Sequence, residues 1–177
     1  FVTVRFGNVL GSSGSVVPLF QRQLAQGGPL TVTHPEVRRY FMTIREACEL
    51  VLQASVLATS AKGPSVGAIM VLEMGAPVRI QDLARRMIRL SGKRPDVDVK
   101  IVYTGLRPGE KLDEELFHGA EAPRATANPD IKIARPELDD LAQLRAALAR
   151  LEDLARAGDD AATLALLREL VPEYKPA

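Results

Sequence analysis

The tetrapeptide Arg107-Pro108-Gly109-Glu110 sets an arginine fork and a carboxylate three residues apart. A guanidinium matches a phosphate in charge and geometry, and a carboxylate can accept two hydrogen bonds from sugar hydroxyls. Proline and glycine between them fix a turn, which would hold both side chains in one arrangement. The plainer alternative is the start of a helix, with Glu110 favoured by the dipole and Arg107 in water. Arg5, Arg38 and Arg39 adjoin apolar, strand-like stretches. An arginine beside buried elements needs an anion or a carboxylate, and an ordinary ion pair meets that need for any one of them. Asn8 follows a strand in a glycine-rich loop, where it suits either a turn or donation to a ligand oxygen.

Other reactive types are placed less favourably. His34 beside Pro35 reads as a loop residue, and His118 lies far from it, so no ligand-like spacing appears and no metal site is expected. Cys48 lies one helical position off an apolar stripe and reads as buried packing. Neither Tyr40 nor Tyr103 has a lysine four residues on, so no Tyr-x-x-x-Lys pair exists. The loop Gly11-Ser12-Ser13-Gly14 lacks both the Lys-Ser/Thr ending of a phosphate loop and the glycine spacing of a dinucleotide fingerprint. No complete catalytic set is present.

The elements that must position these residues alternate between strand and helix. A strand over 2–6 leads into a Gly/Ser-rich loop over 7–15. A short helix follows with Pro18 in its first turn and Leu19, Phe20 and Leu24 on one face, closed by Gly27-Gly28. Leu30-Thr31-Val32-Thr33 predicts a strand. Thr43 is a plausible N-cap, with Glu46 three residues on, for a helix over 45–61 whose stripe is Ala47, Leu50, Val51, Ala54 and Leu57. The run 68–74 is nearly all apolar, as in a strand buried on both faces. A helix over 81–90 ends at Gly92, and 97–102 alternates as a half-buried strand. Residues 103–112 form a loop feeding a short helix. The stretch 124–136 reads as a linker before two Leu/Ala-rich helices that turn at Gly158-Asp159-Asp160. The predicted domains are 1–123, the linker 124–136 and a helical hairpin over 137–177. Strands alternating with helices predict an α/β architecture with an α-helical hairpin appended.

Composition narrows the function classes. The chain has 177 residues, with 23 Lys+Arg against 22 Asp+Glu and a formal charge of +1. That balance carries no electrostatic footprint for nucleic acid. One cysteine excludes an internal disulfide. No apolar run reaches the roughly 18–20 residues of a membrane span, so the chain reads as soluble and from a reducing compartment. It opens in a strand without an initiator Met, and reads as the C-terminal portion of a longer enzyme. Taken alone, such a piece of parallel sheet is expected to be marginal or to associate with itself.

Four stretches carry a resemblance: Arg5-Phe6-Gly7-Asn8-Val9-Leu10-Gly11-Ser12, Gly14-Ser15-Val16-Val17-Pro18-Leu19-Phe20, Arg39-Tyr40-Phe41-Met42-Thr43 and Leu106-Arg107-Pro108-Gly109-Glu110-Lys111-Leu112. In this order they resemble the nucleotide-sugar 4,6-dehydratases of polysaccharide biosynthesis, which are extended short-chain dehydrogenase/reductase enzymes. The closing 167–174 is similar to the tail of that family's long, membrane-anchored branch.

The resemblance implies the C-terminal part of a Rossmann-type enzyme. This chain would supply the last sheet strands (2–6 and 69–74) and the sugar-nucleotide lobe. NAD or NADP would be held mainly by a missing N-terminal half. The implied substrate is UDP-N-acetylglucosamine, and the catalytic residues would lie upstream, leaving this chain inactive alone. Carried over, Arg107 and Arg39 grip the diphosphate, with Arg38 the alternative should the alignment slip by one residue. Glu110 takes the ribose hydroxyls, and Asn8 reaches a phosphate or sugar oxygen. Ser15 and Val16 line the nucleotide, the backbone of Thr31 and Thr33 reads the uracil edge, and Phe6 borders the nicotinamide. Expected partners are the UDP-sugar, the missing half and further copies in a homo-oligomer, but no nucleic acid. The implied setting is cytoplasmic, with N-terminal helices anchoring the long branch in the inner membrane. The rivals are a UDP-sugar 4-epimerase, a 5-epimerizing dehydratase and, in another class, a non-catalytic helical interaction module built on the hairpin.

Overall fold

The computed structural model describes residues 2–59, 68–117, 121–134, 140–172 and 174. They fall into two compact units, Phe1–Pro136 and Glu137–Ala177. In chain order the first unit has β1 (Thr3–Arg5), β2 (Asn8–Val9), α1 (Val16–Ala25), β3 (Leu30–Val32), β4 (Arg38–Arg39), β5 (Phe41–Met42) and α2 (Ile44–Thr59). It continues with β6 (Ile69–Leu72), β7 (Val78–Arg79), α3 (Ile80–Leu90), β8 (Ile101–Tyr103), β9 (Arg124–Ala125) and β10 (Ile131–Ala134). The second unit has α4 (Leu141–Ala157) and α5 (Asp160–Leu170). The α/β class read from the sequence is the class observed.

One core forms between α2 and a four-stranded sheet of order β1-β6-β10-β9. β1 runs parallel to β6, with Val4 opposite Met70, and β10 closes the other side of β6 antiparallel. β6 is apolar along its length because both its edges are paired and one face lies under α2. Met70, Leu72 and Ile131 are buried there with Ala47 and Ala54 of α2. That helix starts at a capping box. The Thr43 N–H donates to Glu46 Oε2 at 2.7 Å, and the Glu46 N–H donates to Thr43 Oγ1 at 3.2 Å, which satisfies two N–H groups left open at a helix start.

A second core joins α1, β3, β8 and α3. Phe20, Leu30, Val32, Val37, Ile80, Ala84, Ile88 and Val99 are its buried residues. Ile80, Ala84 and Ile88 recur every four residues, which turns one stripe of α3 inward. β3 lies parallel to β8, with Thr31 opposite Val102.

Gly28 joins α1 to β3 where this core is tight. Its φ is +89°, and a Cβ there would lie 2.8 Å from Cγ1 of buried Val99. Gly28→Ala is expected to cost about 1–3 kcal/mol through left-handed strain and crowding. A lower midpoint in urea denaturation checks this, and an unchanged midpoint would contradict it.

Four sequence expectations change. The stretch 124–136 is not a linker over its described part, because it holds β9 and β10, with Ile131 and Ala134 fully buried. Residues 103–117 contain no helix; backbone and side-chain bonds to β3 and β4 hold them instead. The strand placed at 97–102 begins at Ile101, with Val99 in a bridge to Pro95. Cys48 is exposed on α2, since only the stripe through Ala47, Leu50, Val51 and Ala54 faces the sheet. The predicted helix over 45–61 runs past Thr59 into residues outside the described set, as do Leu138 and His118.

In the second unit, Asp140 caps α4 by accepting from the N–H of Ala142 at 2.8 Å. Gly158 ends α4 in the left-handed region at φ 72°, and Asp159 caps α5. This pair of helices exposes Leu141, Leu148 and Leu164. Among the described residues, no helix is long and apolar enough to cross a membrane, and no group of three or more His, Cys, Asp or Glu could hold a metal ion.

Candidate functional site

β2, α1, β3, β4 and the loop after β8 surround one cavity of about 790 Å³. Asn8, Ser15, Val16, Thr31, Thr33, Arg39, Arg107 and Glu110 all line it, although the sequence spreads them over some hundred positions. Val37, Phe41, Ile80 and Leu106 supply apolar wall. A few polar groups on an apolar wall, at this volume, suit a small organic ligand.

The charged side is built on a staple between β4 and the loop. The Arg38 N–H donates to the Leu112 carbonyl at 2.8 Å. Side chains of adjacent strand residues point to opposite faces, and the two arginines separate accordingly. Arg38 lies outward near Glu36 and Asp113 at 4.0 and 3.8 Å. Arg39 lines the cavity with its side chain only 15% exposed, 3.4 Å from Glu110 Oε1 and 3.2 Å from Glu114 Oε1. Of the two residues that a one-place slip would exchange, Arg39 is the one in the cavity. Arg107 also lines it, and its guanidinium has no carboxylate partner within ion-pair distance among the described residues. Arg5 is instead engaged elsewhere, bonded to Glu121 and to the Leu116 carbonyl.

Glu110 gathers donors from three segments. The Thr33 hydroxyl donates to it at 2.8 Å, the Arg107 N–H at 3.1 Å and Arg39 Nη2 at 3.4 Å. Burial opposes its ionisation, but the Arg107 N–H, the Thr33 hydroxyl and the charges of Arg39 and Arg107 together hold its carboxyl below the ordinary value. A carboxyl lowered on folding contributes stability that is complete above its unfolded value and lost as pH falls through the folded one. The bond from Thr33 to Glu110 is therefore expected to loosen at a pH below the ordinary titration value of a glutamate. An NMR titration of the Glu110 side chain checks this, and a midpoint at or above the ordinary value would contradict it.

The start of α1 also meets the cavity, through Gly14, the N-cap Ser15 and Val16. The opening N–H groups of a helix have no intrahelical acceptor, and its dipole is positive at that end. Ser15 takes the N-cap position in extended backbone without a side-chain cap bond. Its hydroxyl is buried and has no partner among the described residues. Two arginines, a helix start and an unengaged hydroxyl make this an anion-binding arrangement.

On β3, the Leu30 N–H and the Val32 carbonyl bond to the β8 side. By alternation the backbone polar groups of Thr31 and Thr33 face the other way. Gln23 already uses part of that edge: its Oε1 accepts from the Thr31 N–H at 3.1 Å, and its Nε2 donates to Thr31 Oγ1 at 2.8 Å. Sequence reasoning missed Gln23 and Glu114. Gln23 lies one helix turn before Gly27, and Glu114 in a segment read as helix, so neither had a local signal.

Phe6 does not join this cavity. The residue is 36% exposed just past the carboxyl end of β1, in a second groove with Lys111, Glu114 and Leu116. That groove adjoins the cavity, since Asn8 lines both. It offers no glycine-rich turn for phosphates, so these residues do not form a binding site for a whole dinucleotide.

A profile of the polysaccharide biosynthesis protein family matches residues 1–136. The capsular polysaccharide biosynthesis protein CapD of Staphylococcus aureus is 60% identical over 121 residues, which are 68% of this chain and 19% of that protein. A UDP-glucose 4-epimerase of Rickettsia akari is 35% identical over 121 residues, 68% of this chain and 32% of the epimerase. Among solved structures, Pen from Bacillus thuringiensis is 37% identical, with a TM-score of 0.64 over 79% of this chain and 41% of that one. The chain thus spans about a fifth to a third of the length of these curated relatives.

Proposed function

The chain belongs to the polysaccharide biosynthesis protein family, and on that premise we propose that its cavity is the UDP-sugar-binding lobe of an NAD(P)-dependent UDP-N-acetylglucosamine 4,6-dehydratase. One observation carries the reading: Arg107, Arg39 and the first turn of α1 converge on a single cavity. Arg107 and Arg39 take the diphosphate, with Asn8 on a phosphate or sugar oxygen. Ser15 and Val16 line the nucleotide, and the buried Ser15 hydroxyl offers an otherwise unused donor. Glu110 exchanges its bonds to Thr33 and Arg39 for the ribose hydroxyls. The uracil edge meets the backbone groups of Thr31 and Thr33 that face away from β8, of which the Thr31 N–H is shared with Gln23.

In this reading the chain binds substrate and does not turn it over. The charged residues of the cavity are Arg39, Arg107 and Glu110, and among the described residues that line it there is no lysine and no tyrosine able to hold or move a proton at a sugar carbon. In this reading such groups come from parts of the intact enzyme outside this chain. A bound NAD or NADP would supply hydride transfer there, and of the residues here only Phe6 would border its nicotinamide. The parent enzyme would work in the cytoplasm as a homo-oligomer.

A second reading, a UDP-sugar 4-epimerase, is favoured by the named epimerase relative. Both readings predict uridine-selective binding. Calorimetric titration of the chain with UDP, UDP-N-acetylglucosamine and GDP-mannose is expected to show heat with the first two and none with the third. A folded chain that binds none of them, and self-associates through 137–171, would favour the interaction module instead. Product analysis on the full-length enzyme separates dehydratase from epimerase.

A further inference from the structure

Glu114 divides its carboxylate between two side chains of the cavity. Its Oε1 lies 3.2 Å from Arg39 Nε, and its Oε2 accepts from Asn8 Nδ2 at 3.3 Å, a nitrogen that also donates to the Tyr40 carbonyl at 3.3 Å. Asn8 stands on β2 and Arg39 on β4, strands that pair with different partners, while Glu114 follows on the loop that carries Arg107. Arg39 Nη1 is fixed independently by the carbonyls of Arg38 at 2.7 Å and Leu112 at 3.1 Å. Its Nη2 meets Glu110 at 3.4 Å.

We propose that Glu114 is a positioning residue that aims Arg39 at the phosphates of the ligand, with the Asn8 amide as its anchor. The inference rests on the reading of the cavity as a UDP-sugar site. Two carboxylates hold one arginine, and they differ in what else they can do. Glu110 is in the cavity lining and turns to the ribose hydroxyls when ligand enters, which releases Nη2. Glu114 is outside that lining and keeps its hold on Nε and on the Asn8 amide. The guanidinium plane therefore stays set while its freed edge meets a phosphate, so little rotamer entropy is lost on binding.

The test compares UDP with uridine in the wild-type chain and in Glu114→Ala, Glu114→Gln, Arg39→Ala and the Glu114→Ala/Arg39→Ala pair. UDP affinity is read by calorimetry and uridine affinity by chemical-shift titration. Glu114→Ala is expected to weaken UDP about tenfold while leaving uridine unchanged, and to add nothing once Arg39 is gone. Glu114→Gln keeps one acceptor oxygen without the charge and is expected to lie between; being isosteric, it also carries the test should the alanine variant not fold. UDP binding that ignores both Glu114 variants, an equal loss for uridine, or full additivity with Arg39→Ala would overturn the inference alone. A folded wild-type chain that does not bind UDP would overturn the reading of the cavity, and the inference with it.

Discussion

Replacing Arg107 by alanine is expected to weaken UDP binding by about 10- to 150-fold while leaving the melting temperature where it was. The two halves of that result have separate causes. Arg107 lines the cavity but has no carboxylate within ion-pair distance among the described residues, so the fold loses with it only a weak attraction to Glu110. Exposed substitutions of that kind usually change stability by less than about 0.5 kcal/mol. A hydrogen-bonded contact to a charged group contributes about 1.5–3 kcal/mol, which is the fold-change above. Arg107→Lys should recover part of it, since an ammonium keeps the charge and loses the fork. Calorimetry on the three proteins, with thermal melts alongside, measures both halves. UDP affinity unchanged in Arg107→Ala would remove the diphosphate from this side of the cavity.

Phe20→Ala is expected to be the most damaging change to the fold, at about 3–5 kcal/mol. Phe20 is 0% exposed and packs with Leu30, Val32, Val37, Ile80 and Ile88, so its ring fills the space between α1, β3 and α3. Alanine leaves a hole that short strands held by few bonds cannot close. The loss is a large share of the roughly 5–15 kcal/mol that a domain has in total. Binding should suffer with it, because Val16 and Leu19 of the same helix line the cavity. Urea denaturation followed by circular dichroism checks the first claim. A midpoint equal to wild type would mean that α1 is not anchored through Phe20.

The helices were legible in the sequence because their signals are local. Thr43 and Glu46 announce the start of α2 and bond as a capping box. Gly158 takes the left-handed conformation that ends α4. The strands of the sheet were legible only where an apolar run marked them. Ile131-Lys132-Ile133-Ala134 was hidden between Pro129 and Pro136, since what makes it a strand is pairing with β6, some sixty residues away. The pairing gives Ile131 and Ala134 their burial, and no local pattern encodes it.

The candidate site divides in the same way. Its residue types were legible, and the eight positions named for the substrate line one cavity. Which of Arg38 and Arg39 faces it was not, because adjacent strand residues point to opposite faces and only the register of β4 decides. Glu114 was missed for a related reason. It acts through Arg39 and is anchored by Asn8, and the nearness of those two is a product of the fold.

The central claim, that the cavity bounded by Arg39, Arg107 and α1 receives a uridine diphosphate sugar, is tested most directly by amide chemical shifts. UDP-N-acetylglucosamine is added to the isotopically labelled chain, and the shifting amides are mapped. The expected set is Ser15, Val16, Val17, Thr33, Arg107 and Glu110, moving together along one saturation curve. Saturable shifts confined to the groove at Phe6 or to α4 and α5, with those six amides still, would contradict the account.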